Sequence, residues 1–410
     1  QNEKDGVFWV SLLLNLCMFI VLFLIAPLVA EFYEIELLAD VIRMAGCVLI
    51  LSSLSMVPHA EKVRALNFRF TALTSMFASF ITTTTVLSMA WAGYGIWSLV
   101  VSVLASEVFI ACVYLSQLRR FPSLDFKLAE IKSIIKYGFG IMGSRVLFFC
   151  NANVGVFISG VFLGERKTGY YQFADTLARL PMAKIGTIFN DISFASLSSI
   201  QHNKDASKRF LFSFHRYLVF ISYPILIGIT IVAHDIVLVF LTEKWLPMVL
   251  PLKLVCLMTL MSITTQILPR FLESQGQVRK VFMFQSVSLV LTFTAMLIGA
   301  QFGLEEMLAA VLAIYPFLYV FLLWLILPLV GVTILEFFKS FYEVIIINII
   351  MALALILIKE VVIGFSPLAR LSVLVCIGGL VYTLLSFFLM KKDILALKAF
   401  LAQKNAEDVK

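Results

Sequence analysis

The sequence predicts an all-α, polytopic membrane helical bundle, and three observations carry that prediction. Val7 to Ala30 is an uncharged run of 24 residues, nearly all hydrocarbon. About 20 apolar residues rising ~1.5 Å each cross the ~30 Å apolar core of a bilayer. Comparable runs recur along the chain, about twelve in all, joined by short connections. Charged residues make up only 14% of the chain and the mean hydropathy is +1.01, whereas a soluble domain carries about 25% charged residues. A transmembrane β-barrel would show alternating residues and regular turns, which this chain lacks. Continuous apolar runs call for helices, since a helix satisfies its own backbone groups in lipid.

Taken in order, the spans fall at 7–30, 37–58, 70–92, 95–117, 137–163, 174–200, 212–234, 251–269, 281–302, 306–330, 344–363 and 367–390. Short loops make sequence neighbours antiparallel. No segment outside the spans is as large as a soluble domain. Two connections read as interfacial. In the first, Phe126, Ile131, Ile134 and Ile135 oppose Lys127, Lys132 and Lys136, a pattern that lies on anionic headgroups or forms a solvated basic linker. Residues 333–343 repeat it more weakly. Pro181 and Pro224 are placed to bend helices, and Pro269 to terminate one.

Lys and Arg set the orientation. With residues 1–6 in the cytoplasm, alternate connections and the tail collect 22 of the 32 basic residues. That asymmetry supports the helix count. The opposite loops are acidic at Glu31, Glu34 and Glu36 and at Glu305 and Glu306; Arg166, Lys167 and Lys244 are the exceptions. The net charge of +7 therefore follows membrane topology and is not a nucleic-acid footprint. The six cysteines lie in apolar runs without a C-x-x-C pair and read as inert buried thiols. The opening QNEKDG is not a signal peptide, and the absence of a leading Met suggests a missing N-terminal piece.

Two helices are not bland. The fifth carries Ser144, Arg145, Asn151 and Asn153; the sixth carries Arg179, Lys184, Thr187, Asn190, Asp191 and a serine-rich end. Charge inside lipid costs several kcal/mol, on the order of magnitude, so such groups face a cavity or a partner. Lys184, Thr187, Asp191 and Ser198 share one helical stripe, and Arg179, Gly186, Asn190 and Ser193 an adjoining one. A wet cavity of mixed but net positive sign accounts for this. An internal Lys184–Asp191 ion pair, a snorkelling Arg179 and ordinary interhelical amides at Asn151 and Asn153 are the structural alternatives. Glu107 reads as a cation site or a packing partner. Arg43 should snorkel, Lys359 and Glu360 mark an outer boundary, and His234 with Asp235 sits at a helix end where capping or solvation is expected.

The chain has no G-x-x-x-x-G-K-[ST], no H-E-x-x-H and no clustered His/Cys metal set. No cofactor is called for. The outer loops are too short to hold a metal-dependent transferase site, so moving a substrate through an internal cavity fits better than making bonds.

From Tyr137 to Gln201 the chain resembles the polysaccharide transporter family of Wzx-type flippases, colanic- and teichuronic-acid exporter branch. That family sits within the multidrug/oligosaccharidyl-lipid/polysaccharide superfamily. The resemblance rests on Gly138, Gly140, Asn151, Leu163–Gly164, Gly169–Tyr171, Leu180–Pro181 and the run F-A-S-L-S-S-I-Q ending at Gln201. Pro58, Arg64, Phe68, Arg69, G-Y-G-I-W-S-L from Gly93 to Leu99, and Val232–Pro247 with Trp245 extend it over nearly the whole chain. It implies a MATE-like fold of two pseudo-symmetric six-helix lobes plus two trailing helices, with the first two helices absent here. Residues 1–118 would be the rest of the first lobe, 119–136 a cytoplasmic amphipathic linker, 137–330 the second lobe, 331–390 the extra pair and 391–410 a cytoplasmic tail. The fifth and sixth helices become the family's cavity-lining seventh and eighth. The chain departs from the family where an acidic residue often replaces Asn153, and where F-P-A-L-S-R-I-Q loses its Pro and Arg; these departures bear on the coupling ion and the cytoplasmic gate.

The resemblance implies a flippase of the bacterial inner membrane moving polyprenyl-diphosphate-linked oligosaccharide repeat units by alternating access. Arg145, Arg179 and Lys184 would meet the diphosphate or acidic sugars; Asn151, Asn153, Thr187 and Asn190 would meet sugar hydroxyls. Asp191 or Glu107 would couple to a proton or sodium gradient. Membrane lipids, a glycan polymerase and glycosyltransferases are the implied partners, and nucleic acid is not. A multidrug cation exporter would want acidic cavity residues instead, and an integral membrane enzyme acting on lipid-linked glycans would change the substrate's mass.

Overall fold

The computed structural model describes residues 2–64, 67–118, 120, 122–123, 146–181 and 204–390. These residues are almost wholly helical, and eleven of their helices are long and apolar enough to cross a membrane. The protein is a multi-pass membrane bundle. It divides into two compact units, Gln1–Gly143 and Ser144–Lys410.

The first unit contains α1 (Asn2–Phe32), α2 (Leu37–Arg64), α3 (Phe68–Trp91) and α4 (Trp97–Leu115). Asn67 caps α3 by accepting from the Phe70 amide. The polar run of α3 tolerates an apolar setting because Thr82, Thr83 and Thr84 each donate to the carbonyl four residues back. Ser98, Ser102 and Ser106 make one buried seam down α4. Their hydroxyls bond to carbonyls three residues back, within the helix or in the turn just before it, leaving a small-residue face that lets a neighbouring backbone come close. Asp5 ties the start of α1 to the segment after α4, accepting from the Ser123 amide and hydroxyl and pairing with Arg120.

The second unit opens with α5 (Val146–Pro181), a single unbroken helical run of 36 residues. It is a hairpin rather than a rod. Gly164 sits in the left-handed region at φ 78°, which glycine adopts without a Cβ clash. Gly155 and Tyr171 would be about 24 Å apart on a straight helix, yet a Cβ built on Gly155 would lie 2.2 Å from the Tyr171 hydroxyl. The two arms, 146–163 and 165–181, therefore run antiparallel and stand where two separate helices were expected. The predicted loop at 164–173 reduces to one glycine. Arg166 donates to the Tyr170 hydroxyl, which donates to the Lys244 carbonyl, and Trp245 packs on Tyr170 and Phe173, so the hairpin tip is fastened.

Next come α6 (Lys204–Phe240), a 3-10 turn (Glu243–Met248), α7 (Val249–Ser274), α8 (Val278–Ala300), α9 (Leu304–Val330), α10 (Ile334–Lys339), α11 (Tyr342–Val361) and α12 (Pro367–Leu389). The main core joins α5, α6, α7, α8 and α9. A second core seats α10 through Phe337, and the start of α11 through Phe341, around the buried His215, whose Nε2 lies 2.8 Å from the Tyr319 hydroxyl. A third packs α11 and α12 on α6.

Several boundaries correct the sequence reading. The α6 helix runs past His234 and Asp235 rather than ending there. Asp235 is fully buried and pairs with Arg370 of α12, whose Nε lies 2.6 Å away. Lys359 donates to the Ile231 carbonyl at 2.7 Å. The polar pair thus clamps two helices and caps nothing, because an isolated buried carboxylate needs an opposite charge. Pro269 lies inside α7, not at its end; a proline costs one backbone bond and neighbouring helices can make that good in a membrane bundle. Of the six cysteines only Cys256 is buried; Cys17, Cys112, Cys150 and Cys376 are on the outside of the bundle, as apolar lipid favours small apolar groups there too. The expected amphipathic linker at 119–136 and the tail at 391–410 lie largely or wholly outside the described residues.

Candidate functional site: a polar pocket beside the helical hairpin

Folding α5 back on itself brings together two of the residues singled out by their polarity. Asn151 on the first arm and Arg179 on the second line one pocket of about 140 Å³, with Ser262, Gln285, Thr292 and Tyr315 supplied by α7, α8 and α9. In the antiparallel register set by Gly155 against Tyr171, Asn151 stands at the level of Asp175, and Arg179 follows one helical turn further on. Asn151 Nδ2 donates to the Leu147 carbonyl and across to the Gln285 carbonyl, both at 3.3 Å, so the amide also joins the first arm to α8.

Arg179 does not stand alone. Its Nε donates to both carboxylate oxygens of Asp175 at 2.7 Å, one helical turn back. Among the described residues its two terminal nitrogens, Nη1 and Nη2, make no hydrogen bond. The Arg179 side chain is 43% exposed and that of Asp175 26%. The guanidinium is thus held from behind at Nε with its outer edge open. Tyr171 and Tyr315 lie within electrostatic reach of the pair. A guanidinium edge beside pocket hydroxyls forms a setting that suits a phosphate-sized anion. Ligand pockets for larger molecules run to about 300 Å³ and more, so this one has room for a phosphate-sized group and not for a glycan.

Asn153 goes elsewhere. Two positions from Asn151, it projects to the opposite side of the first arm, and donates to the Phe149 carbonyl at 2.9 Å. There it borders an apolar groove of about 490 Å³ formed with Phe149, Phe157, Leu289 and Phe293. Glu107 lies half-buried in α4 of the first unit beside the buried Ser106. Arg145, Lys184, Thr187, Asn190 and Asp191 lie outside the described residues.

Sequence reasoning missed Asp175 and, lining the pocket, Ser262, Gln285, Ser288, Thr292 and Tyr315. Asp175 was findable: four residues before an arginine on one helix, it is a natural ion-pair partner. Gln285, Ser288 and Thr292 share one stripe of α8 at offsets of 3 and 7, a signal that could have been read; Ser262 and Tyr315 come from other helices, and only packing brings those to the same place.

Residues 1–250 match the family described as polysaccharide biosynthesis protein. A membrane protein of the cps region of Klebsiella pneumoniae is 24% identical over 98% of this chain and 84% of its own length. The teichuronic acid biosynthesis protein TuaB of Bacillus subtilis is 21% identical over 94% of this chain and 81% of its own. The lipopolysaccharide biosynthesis protein WzxC of Escherichia coli is 22% identical over 73% of this chain and 61% of its own. Among solved structures, the lipid II flippase MurJ in an inward closed conformation superposes with a TM-score of 0.78 at 16% identity, over 96% of this chain and 86% of that one.

Proposed function

The chain belongs to the polysaccharide biosynthesis protein family, and from that premise we propose that it is a flippase moving polyprenyl-diphosphate-linked oligosaccharide across the bacterial inner membrane. Relatives named for teichuronic acid and lipopolysaccharide biosynthesis, and the shared fold of a lipid II flippase, support this reading. A diphosphate and its sugars cannot enter hydrocarbon unaided, because each unpaired polar group would cost several kcal/mol, on the order of magnitude. The protein's task is to supply polar partners inside the bilayer and exchange them for water on the far side.

The observation that carries the proposal is the polar pocket itself. In the helical bundle, an arginine with an Nη edge unbonded among the described residues lines a pocket beside hydroxyls. Arg179 meets a phosphate oxygen of the substrate through that edge. Asn151 orders the pocket wall. Arg145 and Lys184 supply further positive charge, and Thr187 and Asn190 sugar contacts; Asn153, facing the apolar groove, is not among them. The prenyl chain stays among apolar side chains and lipid. Residues 1–118 and 137–330 serve as the two lobes of an alternating-access cycle, with 331–390 as an added helical pair. Asp191 or Glu107 couples the cycle to a proton or sodium gradient, and a glycan polymerase and glycosyltransferases act before and after it. No bond of the substrate is made or broken.

The test is flipping of a fluorescent polyprenyl-diphosphate glycan by the full protein in liposomes, read as loss of probe from one leaflet to a membrane-impermeant quencher. Transport at a rate well above protein-free vesicles, with unchanged substrate mass, is expected. Arg179→Gln should reduce the rate at least tenfold at equal protein level. No transport by the wild-type protein, or a product of altered mass, overturns the reading. Collapsing the proton and sodium gradients in turn identifies the coupling ion.

A further inference from the structure

We propose that Asp175 is a built-in counter-ion that weakens phosphate binding at Arg179 so that the substrate can leave. This rests on the reading above that Arg179 meets a phosphate of the substrate, and assigns a role to a carboxylate that this reading does not use.

The geometry is specific. Asp175 takes only Nε of Arg179, with both oxygens at 2.7 Å, and leaves Nη1 and Nη2 unbonded among the described residues. A carboxylate that merely neutralised a buried arginine would do so best across the Nη edge or side-on with two nitrogens, which is the bidentate pattern. Here the ligand-facing edge is spared. The arginine is also the more open partner, at 43% against 26% exposure. A phosphate can therefore reach Arg179 without displacing Asp175, and it arrives at a guanidinium whose charge is already offset from behind.

The physical consequence is a tuned affinity. An uncompensated arginine in a low-dielectric pocket holds a diphosphate strongly, and strong holding stalls release. A second negative charge across the guanidinium repels the diphosphate at short range while fixing the arginine's direction. The phosphate is oriented well and bound weakly, which suits a carrier. Asp175 is thus a positioning residue that also sets the off-rate. Of the titratable groups that face the pair, Tyr171 comes from its own hairpin and Tyr315 from α9; neither carries a compensating charge in its neutral form.

The experiment measures binding of farnesyl diphosphate to the full protein in detergent by calorimetry, with farnesol as the uncharged control, together with flipping in liposomes. Asp175→Asn keeps an oxygen to accept from Nε and removes the charge. It should bind farnesyl diphosphate about tenfold more tightly, with farnesol unchanged. In liposomes its apparent KM and its turnover should both fall, and Asp175→Glu should restore both toward wild type. A purely structural carboxylate would not lower KM. Asp175→Ser carries the same test should the Asn variant not fold. Unchanged or weaker binding in the charge-removed variants overturns the proposal. So does farnesyl diphosphate binding that survives Arg179→Gln, which would place the anion elsewhere. Wild-type flipping is scored separately, so the counter-ion can fail while the transport reading stands.

Discussion

The hydroxyl of Tyr382 on α12 donates to the carbonyl of Phe220 on α6 at 2.6 Å, and Phe220 is the residue four before Pro224. Proline has no backbone N–H, so it leaves that carbonyl without its helical donor. A side chain from the trailing helical pair supplies the missing hydrogen bond. The bend-prone point of α6 is thereby stitched to α12.

Removing the stitch should cost stability. Tyr382→Phe strands a carbonyl inside the bundle and should destabilise by about 1–3 kcal/mol, read as a lower unfolding midpoint in detergent. Pro224→Ala returns a backbone donor at that position. In the double variant the Tyr382→Phe penalty should shrink to well under half, and an undiminished penalty would show that the two residues are not coupled.

Gly155 exists for Tyr171. A methyl group there would fall 2.2 Å from the buried phenol oxygen, so the two hairpin arms must separate or the ring must swing out of its packing. Gly155→Ala should destabilise by about 1–3 kcal/mol. Gly155→Ala combined with Tyr171→Phe, which removes the clashing oxygen, should recover part of the loss in the same thermal measurement.

The Asp235–Arg370 pair gives an asymmetric outcome. Arg370→Met leaves a fully buried carboxylate without its cation, and breaking such a pair typically costs about 3–5 kcal/mol. Replacing both, as Asp235→Leu with Arg370→Met, should cost far less. Equal penalties for the single and double variants would mean that the pair is not the clamp between α6 and α12.

A pH effect is expected at α10, which lies outside the spanning helices. Thr333 and Glu336 form a capping box, with Glu336 accepting from the Thr333 amide at 3.0 Å. Its backbone hydrogen bond from Thr333 holds the Glu336 carboxyl below its ordinary range. A depressed carboxyl contributes stability that is present above its unfolded value and lost as pH falls through its folded one. Amide exchange in 334–339 should thus rise, relative to the other helices, only below about pH 4. Thr333→Ala should raise it already at neutral pH.

Polarity in the wrong solvent made Asn151 and Arg179 legible, because amides and charges in lipid stand out against a hydrocarbon background. The partner Asp175 is equally legible from its four-residue spacing to Arg179. The hairpin was legible as two helices but not as one continuous run with a single-glycine turn, since Gly164 carries no signal beyond its type. Asp235 was misplaced at a helix end, because charge next to a loop and charge buried in a clamp read alike in one dimension.

By itself the sequence determined that this chain is a bundle of membrane-spanning helices, since hydrocarbon length and backbone satisfaction in lipid leave few other choices; the flippase type was implied by its resemblance to a known family. Only the tertiary structure decided which polar groups meet. Asn151 and Asn153 are two residues apart and face opposite ways, while Asn151 and Arg179 are far apart in the chain and share a pocket. Helical phase fixes the first fact and the fold-back at Gly164 the second; pairing across a turn depends on packing, which a linear pattern does not record.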